Sequence, residues 1–158
     1  MIKNEKGISL ITVIITIVVM IILISIVVNS SINSVDETNL TKINYETKNI
    51  KDAVNIRISN HERNASAYPY VGTPVGDKVF TYVQYIEILT KEEINELIKK
   101  LTDNYNVGNE KYYRLIGKTE AEELGVDGID IEHCYIIDYY EGDVYGPIKK
   151  DLIEKTED

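Results

Sequence analysis

The chain has 158 residues, with 17 basic and 26 acidic side chains, which gives a net charge of −9 at pH 7. A chain of this length holds one small domain and, at most, a tether. Because a protein with this negative charge repels the phosphate backbone, general nucleic-acid binding is not expected.

Residues 8–28 form an apolar run, and no charged residue occurs between Lys6 and Asp36. A helix of about 20 residues, with a rise of about 1.5 Å per residue, matches a hydrocarbon core of roughly 30 Å. We therefore predict a transmembrane helix at residues 8–28. The alternatives are a buried core helix and a secretory signal peptide. The run is long for either, and no A-x-A cleavage pattern follows it.

The charges on either side of the apolar run predict its orientation. Lys3, Lys6 and the initial amine precede the run, whereas Asp36 and Glu37 follow it. The positive-inside bias then places the N-terminus in the cytoplasm and the C-terminal domain outside. We expect a single-pass protein of the cell membrane, with a cell-surface filament as its assembled form.

The segment in front of the apolar run, residues 1–7, is a short polar leader that ends in Gly7. This arrangement resembles the N-terminus of type IV prepilins and of the pseudopilins of type II secretion systems. The residues that carry the resemblance are Lys6-Gly7-Ile8-Ser9-Leu10-Ile11-Thr12-Val13-Ile14. The resemblance implies that a prepilin peptidase cuts between Gly7 and Ile8 and methylates the new N-terminus at Ile8.

Two residues depart from the pattern of that family. Ile8 replaces the usual phenylalanine, which is a mild change. Thr12 stands where the family has a glutamate that neutralises the N-terminal amine of a neighbouring subunit. The resemblance therefore favours a minor, tip or initiating subunit over a major pilin. It implies as partners the prepilin peptidase, other pilin-like subunits, an inner-membrane assembly platform and the lipid bilayer.

The segment after the apolar run is predicted to continue the helix as an amphipathic stretch at residues 29–61. Its apolar side chains recur close to helical spacing, at Ile32, Val35, Leu40, Ile43, Ile50, Val54 and Ile58. A coiled-coil stalk is the alternative, which the irregular spacing disfavours. We expect a pilin-like α+β fold in which this long helix packs on a small antiparallel β-sheet domain at residues 62–146.

The domain begins with a loop at residues 60–78 that contains prolines and glycines. The loop includes a short match to a glycosylation acceptor, Asn64-Ala65-Ser66, to which we give little weight because such matches are common by chance. Residues 79–89 are β-branched and aromatic and are predicted to form a strand. Three of their apolar residues also fit a helical period: Val79, Val83 and Ile86.

Two capping-box patterns predict helices inside the domain. The first pairs Thr90 with Glu93 and begins a helix whose apolar stripe consists of Ile94, Leu97, Ile98 and Leu101. The second pairs Thr119 with Glu122, and Gly125 follows as the expected C-terminal cap of one or two helical turns.

The remaining elements are predicted strands and a tail. Residues 111–116 are expected to form a short strand, and residues 133–140 give the clearest strand signal. A turn at residues 141–143 and a return strand from Val144 complete a β-hairpin. Residues 147–158 are expected to be a loosely ordered charged tail.

The chain contains 12 tyrosines. We expect most of them to build the core and cross-strand pairs of a small sheet, and the alternative is a surface for subunit packing or adhesion. The tyrosine-rich end also resembles, more weakly, that of pilin-like proteins common in Firmicutes, through Tyr112, Leu124-Gly125 and Tyr139-Tyr140-Glu141-Gly142-Asp143-Val144-Tyr145. This second resemblance implies a Gram-positive host but no activity.

The stretch around Asp127 is the only candidate for a chemical site. Asp127, Asp130 and Glu132 are weak candidates for calcium ligands, but their spacing is not that of an EF-hand, so we prefer a solvated turn and expect no metal. The single cysteine, Cys134, lies in an apolar run and is expected to be buried and unreactive. A tethered hydrolase that uses Asp130 and His133 ranks last.

These observations favour a minor pilin or pseudopilin of a type IV pilus or a type II secretion-like filament. We expect neither an enzymatic activity nor a cofactor. The alternative is a membrane-tethered extracellular binding or adhesion domain that does not enter a filament. The machine that the subunit serves (pilus, secretion or DNA uptake) stays open.

Overall fold

The computed structural model describes the backbone of residues 5–158 and the side chains of residues 14–19 and 39–158. The chain divides into two compact units, with the boundary between Lys42 and Ile43. It contains helices and a four-stranded antiparallel sheet, so the prediction of an α+β protein is confirmed. The helices are α1 (Glu5–Arg63), α2 (Val79–Tyr82), α3 (Lys91–Asn106), α4 (Lys118–Glu123) and α5 (Lys150–Glu157).

Helix α1 contains the segments for which we predicted a membrane span and its amphipathic continuation. Within the described residues, none of the helices has an apolar stretch of sufficient length to span a bilayer. Most side chains of the predicted span at residues 8–28 lie outside the described part of the chain, as do those of Gly7, Ile8 and Thr12. The span and the cleavage site therefore stay predictions.

The sheet lies in the second unit, and its strands follow the order of the sequence, each antiparallel to its neighbour. The strands are β1 (Thr73–Pro74), β2 (Tyr113–Ile116), β3 (His133–Asp138) and β4 (Asp143–Lys149). In the register, Ile116 pairs with Tyr135, and Ile137 pairs with Val144. The predicted β3–β4 hairpin is confirmed. The strand predicted at residues 111–116 is confirmed for Tyr113–Ile116, whereas residues 111 and 112 belong to a 3₁₀ turn, Glu110–Tyr112. Strand β1 was not predicted.

One face of the sheet packs against the part of α1 that belongs to the second unit. Ile50 and Val54 of α1 are both 0% exposed. Successive residues of a strand point to opposite faces, so Tyr135, Ile137 and Tyr139 lie on this side. They form one apolar cluster with Ile50, Val54, Ile116, Ala121, Val126 and Ile129.

The opposite face of the sheet carries a second apolar cluster, to which α2, α3 and α5 contribute. Its buried members are Val75, Val79, Tyr82, Val83, Ile86, Leu97, Leu101, Tyr113, Cys134, Ile136, Ile148 and Ile153. Helix α3 begins at the predicted capping box, in which Glu93 N donates to Thr90 Oγ1 at 3.3 Å and Thr90 N donates to Glu93 Oε2 at 2.8 Å. This prediction is confirmed.

The prediction of a strand at residues 79–89 is wrong. Helix α2 is followed there by a 3₁₀ turn, Val83–Tyr85. The buried side chains are Val79, Tyr82, Val83 and Ile86, which recur with the helical period rather than with the alternation of a strand. Burial of this stripe against α3 and the sheet therefore outweighs the β propensity of its residues.

Two further predictions need correction. The capping box at Thr119 and Glu122 is misplaced, because α4 begins earlier and Gly117 N donates to Glu120 Oε2 at 2.8 Å. Gly125 ends this helix as predicted, with a φ of 86°. The loosely ordered tail at residues 147–158 is also wrong, because the segment completes β4 and forms α5, whose Ile153 is only 5% exposed.

Candidate functional site

Glu46 places a carboxyl group inside the second unit, on the face of α1 that covers the sheet. Its side chain is only 1% exposed. Glu46 lies three residues after Ile43 and four residues before Ile50, so the pitch of the helix brings all three to the same face. A buried carboxyl group is costly unless its oxygens are hydrogen-bonded, so its partners decide what it does.

Both oxygens of Glu46 have partners. Oε1 accepts a hydrogen bond from Asp130 N at 3.0 Å. Oε2 lies 2.8 Å from His133 Nδ1 and accepts a hydrogen bond from Tyr135 Oη at 2.5 Å. We call Glu46, Asp130, His133 and Tyr135 the Glu46 cluster. It joins α1 to β3 and to Asp130, which precedes β3 in the chain.

The strand brings His133 and Tyr135 to Glu46 because residues two apart share a face of the sheet. The pairing of β3 with β4 shifts between Cys134 and Ile136. At this point Gly146 has a φ of 151°, and a Cβ there would lie 2.7 Å from Tyr135 Cδ1. The glycine therefore allows β4 to pass close to the Tyr135 ring.

The electrostatics of the Glu46 cluster favour a protonated phenol. Burial and the hydrogen bond to the Glu46 carboxyl group raise the pKa of Tyr135 far above its ordinary value. Tyr135 therefore keeps its proton as a hydrogen-bond donor at neutral pH.

The single cysteine of the chain, Cys134, lies on the other face of the sheet. Cys134 sits between His133 and Tyr135, so its side chain points away from Glu46. Burial raises its pKa to about 11, so the thiol is not the nucleophile that a thiolate would be. The cluster is consequently a hydrogen-bonded anchor for α1.

The residues that the sequence singled out for metal binding are not assembled into a metal site. In the described part of the chain, no group of three or more acidic, histidine or cysteine side chains is placed to hold a metal ion. Asp130 Oδ1 instead accepts from Glu132 N at 3.0 Å and so closes a local turn. Of the two residues named for hydrolysis, Asp130 makes this turn and His133 Nδ1 lies 2.8 Å from Glu46 Oε2.

A second buried carboxyl group, that of Asp138, lies at the end of β3 and is also 1% exposed. Its Oδ1 accepts from Tyr140 N at 2.9 Å and from Glu141 N at 3.3 Å, which shapes the turn into β4. Its Oδ2 is buried without a partner among the described residues. Burial raises the pKa of Asp138 above its ordinary value, although the two backbone hydrogen bonds oppose this change.

The same turn carries an ion-pair network at the surface. Lys100 Nζ of α3 lies 2.6 Å from Glu141 Oε2 and 2.9 Å from Asp143 Oδ2, and Lys51 Nζ of α1 lies 2.9 Å from Asp143 Oδ1. Partial burial alone would raise the pKa of Asp143, but the two lysines outweigh it, so that this pKa is lowered. The network ties both helices to the hairpin.

A groove of about 460 Å³ lies beside α1 and the residues that follow α4. It is lined by Tyr45 and Ile56 from α1, which are 65% and 63% exposed, and by Leu124 and Val126 among others. Its wall also contains Asp52 and Asp127. The groove therefore combines exposed apolar side chains with carboxylates beside α1.

Sequence reasoning missed Glu46, although a signal for it was present. The apolar stripe of the amphipathic segment steps by seven residues from Ile43 to Ile50, and a helix must bring one residue to the same face in between. The residues at that place are Glu46 and Thr47, both polar. A polar residue in a predicted apolar stripe indicates a buried group with partners elsewhere.

The comparisons with known proteins add no relative to this description. No protein-family model, no curated protein and no solved structure matches this chain. The predicted processing residues Gly7 and Ile8, and the assembly position Thr12, lie outside the side chains that the structure describes.

Proposed function

We propose that this chain is a pilin-like subunit, a minor pilin or pseudopilin, of a type IV pilus or type II secretion-like filament. The observation that carries the proposal is that α1 begins at Glu5, inside the leader, and ends at Arg63. The apolar run that follows Gly7 and the helix that covers the sheet are therefore the same element. Such a subunit needs one helix to serve both as its anchor and as the spine of its domain.

The chemistry of the apolar run supports a membrane-anchored precursor. A uniformly apolar helix is stable in lipid, and it can exchange lipid for neighbouring helices at a small net hydrophobic cost. We propose that the N-terminus faces the cytoplasm and that the second unit lies outside. The partners are then the prepilin peptidase, other pilin-like subunits and the assembly platform, and the proposal assigns the chain no catalytic activity.

The Glu46 cluster supports the role of α1 as the spine of the domain. Three hydrogen bonds to a buried carboxyl group fix α1 against β3 in one register, because a displacement of the helix would leave His133, Tyr135 and the Asp130 amide unpaired. A subunit that is moved by its N-terminal helix requires such a firm attachment. Thr12, in place of the glutamate of the family, favours a minor subunit within this proposal.

The proposal is tested by cleavage of the full chain in cells with and without a prepilin peptidase. Gly7→Leu places a bulky residue at the predicted cut, and we expect it to abolish the peptidase-dependent loss of the leader. Asn4→Leu is the matched control in the same leader and should be processed normally. Normal processing of the Gly7 variant would contradict the assignment.

A membrane-tethered binding or adhesion domain is the second candidate. The groove beside α1 and the exposed rings of Tyr45 and Tyr140, 65% and 57% exposed, favour it because exposed tyrosines are typical of binding surfaces. This candidate predicts a full chain that keeps its leader and binds a cell-surface ligand saturably. A Tyr45→Ala variant should then lose binding, whereas filament assembly would not be observed.

A further inference from the structure

Asn64 begins the tripeptide Asn64-Ala65-Ser66, which has the form of an N-glycosylation acceptor. It is the first residue after α1, which ends at Arg63, and the residues after it form a turn. All three residues of the tripeptide are exposed. The complete acceptor sequence is therefore presented on the surface in irregular backbone, where a modifying enzyme can reach it.

The turn also orders the side chain of Asn64. Its Oδ1 accepts a hydrogen bond from Ala67 N at 3.2 Å, and its main-chain oxygen accepts from Tyr68 N at 3.1 Å. Asn64 Nδ2 donates no hydrogen bond to any residue in the described part of the chain. The nitrogen that N-glycosylation modifies is thus not engaged by the fold.

Two other tripeptides of the chain have the same form, Asn29-Ser30-Ser31 and Asn39-Leu40-Thr41, and both lie within α1. Successive helical residues are turned by about 100°, so Asn39 and Thr41, whose side chains the structure describes, point about 200° apart around the axis. An enzyme that reads both groups together cannot engage them unless the helix unwinds. The turn at Asn64 imposes no such separation.

We propose that Asn64 is the N-glycan acceptor of this chain, with a lipid-pyrophosphate-linked oligosaccharide as donor. Asn64 Nδ2 forms a bond to the anomeric carbon of the first sugar, and the bond from that carbon to the phosphate oxygen breaks. The lipid pyrophosphate leaves with that electron pair, and the amide loses one proton to a base of the transferase. The inference rests on the proposed function, because the second unit must lie outside the membrane.

The test uses the full chain, produced in cells that carry an N-oligosaccharyltransferase acting outside the membrane. Trypsin cuts after Arg63 and Lys78, so residues 64–78 form one peptide whose mass reports on Asn64. We expect this peptide to carry one oligosaccharide, and enzymatic release of the glycan should convert Asn64 to aspartate. Ser66→Ala should abolish the modification, whereas Ser66→Thr should retain it because it keeps the hydroxyl.

Asn39→Gln is the control variant, and it should leave the modification unchanged because Asn39 lies in α1. An Asn64 peptide found only at its sequence mass, beside an exported reporter that is glycosylated in the same cells, would overturn the inference. A glycan on Asn39 instead of Asn64 would also overturn it. The state of the N-terminus separates the two proposals. An unmodified Asn64 in a chain that is cut after Gly7 refutes this inference alone. An unmodified Asn64 in an uncut chain contradicts the proposed function as well.

Discussion

The two faces of the sheet each bury one carboxyl group, and the two groups are held in different ways. On the face covered by α1, both oxygens of Glu46 accept hydrogen bonds, from Asp130 N, His133 and Tyr135. On the face covered by α3, Asp138 uses one oxygen to accept from two backbone amides, and its second oxygen has no partner among the described residues. The two side chains are equally buried, each 1% exposed, so Glu46 and Asp138 differ in their hydrogen-bond partners.

This difference shows that burial alone does not decide what an acidic residue contributes to stability. When both oxygens of a buried carboxyl group accept hydrogen bonds, removing the group destabilises the protein, because the donors are left buried without an acceptor. A carboxyl group with an unpaired oxygen keeps part of its desolvation cost. We therefore expect removal of the charge to destabilise the protein at Glu46 and to stabilise it at Asp138.

The largest expected effect is that of Glu46→Leu. The substitution extends the apolar stripe of α1 but leaves His133, the Tyr135 hydroxyl and Asp130 N without their acceptor. We expect the free energy of unfolding to fall by about 3 kcal/mol, the scale for removing one partner of a buried polar group. Urea denaturation of the full chain in detergent, followed by tyrosine fluorescence because the chain has no tryptophan, measures the change.

A double variant separates lost donors from lost packing at Glu46. When Tyr135→Phe is added to Glu46→Leu, one of the unpaired donors disappears, and the double variant should be more stable than the sum of the two single changes predicts. Strict additivity, or a gain of stability from Glu46→Leu alone, would contradict the account of this cluster.

Tyr135→Phe by itself is expected to have a smaller effect. It removes the hydroxyl that donates to the Glu46 carboxyl group and leaves the ring in place, which we expect to cost about 1.5 kcal/mol in the free energy of unfolding. Tyr140→Phe is the matched control, since its side chain is 57% exposed and its change should stay within about 0.5 kcal/mol. Equal effects of the two variants would show that Tyr135 gains nothing from Glu46.

The smallest expected effect has the opposite sign. Asp138→Asn keeps an oxygen for the amides of Tyr140 and Glu141 and removes the buried charge, so we expect about 1 kcal/mol of added stability at pH 7. The pKa of Asp138 is raised in the folded state, so the stability that its protonated form contributes is fully present below the unfolded pKa and is lost as the pH rises through the folded pKa. The advantage of Asp138→Asn over the wild type should therefore shrink as the pH falls towards 3.

Asp143→Asn is the matched control for the pH dependence of Asp138→Asn. The pKa of Asp143 is lowered in the folded state by Lys100 and Lys51, so its contribution is present above the unfolded pKa and is lost as the pH falls through the folded pKa. Asp143→Asn should therefore destabilise the protein at pH 7, by less than about 1 kcal/mol because the site is partly exposed. Unfolding curves at several pH values that gave both variants the same sign would contradict the assignment of these two groups.

Local signals of the sequence were sufficient for part of the fold. The capping box at Thr90 and Glu93 placed the start of α3, because its two hydrogen bonds depend on residues that are neighbours in the chain. The β3–β4 hairpin was found for the same reason, through the turn at Gly142 between two apolar strands.

Long-range contacts account for the errors. Residues 79–89 combine β propensity with a helical period at Val79, Val83 and Ile86, and only their burial against α3 and the sheet selects the helix. Ile153 lies in a segment predicted to be a charged tail, and its burial in the second cluster holds α5 against the sheet. The local stripe placed a polar residue at Glu46, but its partners, His133 and Tyr135, lie far along the sequence, so the stripe could not identify them.

The proposed function depends most directly on the N-terminus that the mature chain carries. Mass spectrometry of the full chain, produced with and without a prepilin peptidase, measures that terminus and its methylation. We predict a peptidase-dependent cut after Gly7 and an N-methylated Ile8. An intact Met1 in the presence of the peptidase, or a cut near residues 29–31, would contradict the assignment as a pilin-like subunit.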